Sequence, residues 1–174
     1  MRQVWLLRHA KSSWDDPSLP DEDRPLAPRG KRDASTVASY LASVDPPRLV
    51  LCSSGLRARQ TLAAVLPALG FPLQVAIEPR LYTFESSALI ERLRRLDDAS
   101  SSVMLVGHNP ALEELARWLS SENELRARLD TKFPTAAVVT IALPDGPWTS
   151  LSEGVGTLTR FVVPKDLAPG DRRD

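Results

Sequence analysis

Four short apolar runs constrain this chain more than any other feature: QVWLLR (residues 3–8), RLVLCS (48–53), LQVAIE (73–78) and SVMLVG (102–107). Each is too short for a helix and nearly unbroken in apolar character, which suits a strand covered on both faces. Between and after them lie segments of helical spacing. Residues 29–44 place Val37, Tyr40, Leu41 and Val44 on one stripe. Residues 55–70 end at Gly70, with Pro67 shortening the last turn. Residues 86–98 begin at Ser86 or Ser87 as a candidate cap, and residues 110–121 carry Pro110 in the first turn. Strands alternating with helices predict an α/β fold, a three-layer sandwich around a mostly parallel central sheet.

The alternation fails after residue 135. AAVVTIAL, then PDGP, then WTSLSEG reads as a hairpin, and TLTRFVV as one more strand, which predicts an antiparallel edge. Residues 1–163 are expected to form a single domain, and 164–174 (PKDLAPGDRRD) a mobile tail. Residues 12–28 are rich in Pro, Asp and Ser, and a loop of that length in a compact domain is often functional.

The 174 residues are 43% apolar, enough for a real core. Lys+Arg and Asp+Glu both number 22, so no net charge draws the chain to nucleic acid or an anionic membrane. No run approaches a membrane span, the N-terminal apolar run is too short for a signal peptide, and the one cysteine, Cys52, excludes an intrachain disulfide. A cytoplasmic protein is expected.

The chain has only two histidines, His9 and His108, and each follows an apolar run. In open α/β sheets, ligands bind beyond the carboxyl ends of the strands. Arg8 and His9 leave the first strand there, and Gly107 and His108 leave the fourth. Arg57 stands in the first turn of the helix after Ser53, Ser54 and Gly55. A lone histidine after a strand is usually a surface residue, and an arginine at a helix start is disfavoured by the dipole unless an anion pairs with it. Two of each on one rim point instead to a site. Guanidiniums grip phosphate oxygens in pairs, and turn amides add N–H donors. A phosphoryl group is the expected ligand. One neutral imidazole is a candidate nucleophile, and the other groups are candidates to stabilise transition-state charge.

Two rival chemistries fit less well. Cys52 followed by Arg57 or Arg59 leaves spacings of four and six residues, neither of which suits a thiolate phosphatase loop. A metal hydrolase built on His9, His108 and Asp21 or Asp23 has no close histidine pair, and two guanidiniums would repel the ion. No metal and no cofactor are expected.

The segments LLRHAKSSW, RPLAPRGKRDA, SSGLRARQT and VGHNPALEEL, in that order, resemble the histidine phosphatase superfamily of phosphoglycerate mutase-like fold. They are most similar to its SixA-type phosphohistidine phosphatase branch, from Val4 to about Leu119 and more loosely to Val163. The resemblance implies that His9 is the nucleophile, that Arg8, Arg57 and His108 bind the phosphoryl group, and that a phosphohistidine intermediate is hydrolysed without metal. The chain departs from the pattern in two places. Ala10 replaces the commoner glycine, and Thr83, in RLYTFE, stands where many members carry a glutamate acid. Asp21, Asp23 and Glu85 are the loop carboxylates that remain as candidate acids, although solvated loop charge is the ordinary role of each. The chain lacks the large helical insertion of the mutases.

The expected partner is thus a phosphorylated protein carrying phosphohistidine. The alternatives are a small phosphorylated metabolite or, outside catalysis, a phosphate-binding regulatory module.

Overall fold

The computed structural model describes residues 1–167. Six strands form one sheet: β1 (Arg2–Arg8), β2 (Leu49–Ser53), β3 (Gln74–Glu78), β4 (Ser102–Gly107), β5 (Val138–Leu143) and β6 (Thr157–Val162). Their order is β3-β2-β4-β1-β5-β6. β3, β2, β4 and β1 are mutually parallel, while β5 runs antiparallel to both β1 and β6. The antiparallel pairings therefore lie at one edge, as the broken alternation predicts.

The helices are α1 (Pro28–Ala42), α2 (Leu56–Val65), α3 (Ser86–Arg94), α4 (Ala111–Leu119), α5 (Glu124–Thr131) and the single turn α6 (Pro164–Leu167). Side chains alternate across a strand, so β1 sends Val4 and Leu6 to one face and Trp5 and Leu7 to the other. Val4 and Leu6 join a core with Leu89 of α3, Leu112 and Leu115 of α4 and Leu129 of α5. Trp5 and Leu7 join a second core with Val37 and Leu41 of α1 and Leu62 and Val65 of α2. These two cores make three layers, and they explain why β1, β2 and β4 read as continuous apolar runs; the edge strand β3, expected to be covered too, instead leaves Val75 and Ile77 exposed.

Some local expectations are corrected. The strand paired with β5 is Thr157–Val162; WTSLSEG instead begins with a short 3-10 turn at Trp148–Ser150, and Trp148 plugs the core. α3 has no serine cap: Glu85 precedes it, and Thr83 Oγ1 accepts the Glu85 N–H at 3.1 Å. α4 starts one residue after Pro110. α5 is an unforeseen helix, capped by Asn123, whose side chain accepts the Arg126 N–H at 2.8 Å. The expected tail begins as the turn α6, packed on α1 with Leu167 partly buried; the rest of it lies outside the described residues. No described helix is long and apolar enough to cross a membrane.

Candidate active site

β1, β2 and β4 end side by side, and their carboxyl ends bring together Arg8, His9, Ser53 and His108. The first turn of α2 adds Arg57. The His9 and His108 ring centroids are 5.1 Å apart, and both rings are buried, as is Arg57. The expected quartet is therefore one cluster.

The backbone at the end of β1 is tightly held. His9 N–H donates to Gly107 O at 3.0 Å, and Ala10 N–H to Thr61 Oγ1 at 2.9 Å. The Ala136 N–H is shared between Arg8 O and His9 O, both at 3.1 Å. Ala136 has φ 60°, a left-handed conformation that costs an alanine about 1–2 kcal/mol. This strained residue, in a plain PTAAVV stretch, had no signal in the sequence.

The hydrogen bonds of His9 define its tautomer. Nδ1 lies 2.8 Å from Ala10 O, and a carbonyl can only accept, so Nδ1 carries the proton. Nε2 is then unprotonated, and its lone pair accepts the Nε–H of Arg57 at 3.2 Å. Burial first, then the charges of His108, Arg57 and Arg8, lower the His9 pKa from 6.5 to about 3 against the raising effect of Ala10 O. Charge repulsion is thus second to burial.

His108 Nε2 is 2.7 Å from Ser53 Oγ. That hydroxyl also accepts the Gly55 N–H at 3.1 Å. Nδ1 is buried without a partner. Burial and the Arg57 charge lower the His108 pKa to about 4. Arg8 donates through Nη1 to Phe133 O at 2.6 Å, but its Nε is also buried without a partner. Burial and nearby Arg57 lower the Arg8 pKa, although Glu113 opposes them. A buried guanidinium N–H and a buried imidazole nitrogen, both without a partner and both close to His9, suit an anion with several oxygens. A tetrahedral phosphoryl group has that chemistry.

Gly55 has a steric reason. A Cβ there would stand 3.1 Å from His108 Cε1 and 3.2 Å from the Tyr82 ring. Tyr82 and Phe84 wall the site, with centroids 5.2 and 5.9 Å from that of His108. Sequence reading assigned a role to neither aromatic, nor to Ser53.

The candidate acids separate. Asp21 reaches the site: its Oδ2 accepts from Arg57 Nη2 at 2.9 Å and from the Tyr82 hydroxyl, and its Oδ1 accepts from Arg24 Nη1 at 2.9 Å. Its main-chain oxygen accepts from Arg57 Nη1. Burial raises its pKa, but the hydrogen bonds from Tyr82, Arg57 and Arg24 and the Arg57 charge outweigh that and hold it well below the usual carboxylate range. Arg24 shapes this loop by also donating to Ser13 O at 3.0 Å and Ser12 Oγ at 2.7 Å. Asp23 and Glu85 are exposed and make no side-chain hydrogen bond among the described residues. Glu22, between them in neither role, accepts from Ser54 Oγ at 2.5 Å. Among the described residues, no group of three or more His, Cys, Asp or Glu could hold a metal.

Comparison with known proteins identifies the family. The model of the histidine phosphatase superfamily (branch 1) matches residues 4–85. An uncharacterized protein of Mycobacterium tuberculosis is 35% identical over 164 residues, 91% of this chain and 100% of that one. The phosphohistidine phosphatase SixA of Escherichia coli is 29% identical over 169 residues, 95% and 96% of the two chains. The structure of the protein histidine phosphatase SixA complexed with tungstate superposes with a TM-score of 0.76 at 27% identity, covering 95% of this chain and 99% of that one. Sequence likeness along whole chains and likeness of fold thus converge, and this protein belongs to the histidine phosphatase superfamily, in its SixA-type branch, as a phosphatase and so a hydrolase.

Proposed function

We propose that the protein removes phosphate from phosphohistidine in other proteins, through a covalent phosphohistidine on His9. The observation that carries this reading is the unprotonated Nε2 of His9 in a buried cluster with Arg8, Arg57 and His108, where Arg8 Nε and His108 Nδ1 have no partner. In the first step Nε2 attacks phosphorus and the bond to the leaving nitrogen breaks. Arg8, Arg57 and His108 donate to the equatorial oxygens as charge spreads over them. Water then attacks the phosphorus on His9 and releases inorganic phosphate, restoring the free lone pair.

Nothing in the chemistry of these groups requires a metal, and activity is expected to survive excess chelator. Asp21, the candidate acid that reaches Arg57, is held ionised by its hydrogen bonds, which supports phosphohistidine over alkyl phosphates. An alkoxide needs a proton as it leaves. A phosphoimidazole protonated on its other ring nitrogen leaves as neutral imidazole. The SixA relatives in sequence and structure support the same substrate class. The buried free thiol of Cys52 suits a reducing compartment, and we place the protein in the cytoplasm.

The test is a brief reaction with a phosphohistidine peptide, quenched in denaturant and analysed by mass spectrometry. An acid-labile phosphate on His9, absent in His9→Ala, is expected. Retention of most activity by His9→Ala would overturn the assignment.

A further inference from the structure

The cluster is basic, yet its edge carries an ion that no phosphate-binding role explains. Asp21 and His9 share the Arg57 guanidinium: Arg57 Nε meets His9 Nε2 at 3.2 Å, while Arg57 Nη2 meets Asp21 Oδ2 at 2.9 Å. One guanidinium therefore links the reacting lone pair to a fixed carboxylate. That carboxylate is kept in place by three side chains, those of Arg57, Tyr82 and Arg24. It is also half open to solvent, so an arriving molecule meets it.

We propose that Asp21 is a specificity residue, which selects phosphoryl groups whose leaving atom carries positive charge and rejects those whose leaving group is anionic. The inference rests on the phosphoryl site proposed above. Arg8 and Arg57 attract any phosphoryl dianion, and so discriminate poorly among substrates. Asp21 acts on what is attached to it. A phosphoimidazole protonated on its free ring nitrogen is attracted by the carboxylate until the bond to phosphorus breaks. The bonding pair then returns to the ring, which departs neutral with its proton, while His9 Nε2 gains the phosphoryl group. A leaving group bearing a carboxylate is repelled throughout. Because Arg57 contacts Asp21 through Nη1 and Nη2 and faces the phosphoryl position through Nε, the carboxylate can stay in place during the reaction.

The experiment compares kcat/KM for a phosphohistidine peptide with that for an aryl phosphate bearing a ring carboxylate, in wild type and in Asp21→Asn. The amide keeps the size of the side chain and removes its charge. The ratio of the two values is expected to fall about tenfold, roughly the effect of one half-exposed charge, mostly through KM and less at high salt. Tyr82→Phe removes a hydrogen bond and leaves the charge, so its ratio should stay near that of wild type. Equal losses on both substrates in Asp21→Asn would make Asp21 only a strut for Arg57 and overturn the proposal. So would a change in ratio as large in Tyr82→Phe as in Asp21→Asn. Failure of the underlying reading shows separately, as activity that persists in His9→Ala.

Discussion

β1 carries an arginine at each end, and the two have opposite surroundings. At the amino end, Arg2 uses its whole fork: Nη1 on Ser100 O at 2.7 Å, Nη2 on Asp98 O at 3.0 Å and on its carboxylate at 3.2 Å, and Nε on Gly146 O. Its guanidinium also lies 5.0 Å from the Trp148 ring centroid, and the Trp148 indole joins the same Ser100 oxygen at 2.9 Å. At the carboxyl end, Arg8 has one hydrogen bond to the chain and a buried Nε without any. Arg2, which ties β1 to its neighbours, thus has every guanidinium nitrogen engaged. A guanidinium that keeps a buried donor open holds binding capacity in reserve, at a cost in stability.

This contrast breaks or holds by substitution. The largest effect is expected at the open end. Arg8→Ala and His108→Ala should each lower kcat/KM by roughly 100-fold or more, the scale of losing a transition-state donor, with little change in Tm. Arg57→Lys should recover only part of the Arg57→Ala loss, since an ammonium lacks the fork. At the closed end, Arg2→Ala should leave kcat/KM within twofold while costing about 2 kcal/mol, roughly 4–8 °C in Tm for a chain of this size. A catalytic loss in Arg2→Ala, or an equal drop in Tm for both arginines, would erase the distinction.

Gly55→Ala sharpens it on a smaller scale. The new methyl group must displace the His108 ring or Tyr82 by a few tenths of an ångström, so kcat/KM should fall several-fold with a modest change in Tm. The smallest effect concerns pH. His9 and His108 titrate near 3 and 4, below the ordinary 6.5, so both are neutral above about pH 6. Corrected for substrate ionisation, kcat/KM should be flat from pH 6 to 8, and fall in acid as His108 and then His9 take protons. An acid limb near 6.5 would contradict the burial of these rings. Stability has the same direction. The unfolded chain binds these protons from about 6.5 downward and the folded one only near 4 and 3, so stability falls as pH drops through that interval.

The sequence was most legible where a side chain's position follows from local geometry. Strands β1 and β4 run to their last apolar residue, and the next positions, His9 and His108, must emerge at the same rim. Arg57 follows from the first turn of α2 in the same way. Contacts that depend on how loops fold across the site were not legible. Asp21 meets Arg57 from 36 residues away and Tyr82 from 61, and only the packing of two loops sets either distance. WTSLSEG was misread because alternation without a partner strand does not define a hairpin; Trp148 is buried with its indole on Ser100 O instead. Thr83 has a local duty that its mismatch to the family pattern did not reveal, holding the start of α3.

Cys52 lies one residue from Ser53 on β2, fully buried, with its thiol pushed up to about 12 chiefly by burial. A sulfur so rarely ionised and so shielded is a poor target for peroxide or alkylating reagents. Enzymes that dephosphorylate through a thiolate lose activity whenever that sulfur is oxidised. Here the nucleophile assigned to the site is nitrogen, and the one sulfur near it is sealed in the sheet. Dephosphorylation by this protein is therefore expected to continue through an oxidative burst that silences phosphatases with a thiolate nucleophile.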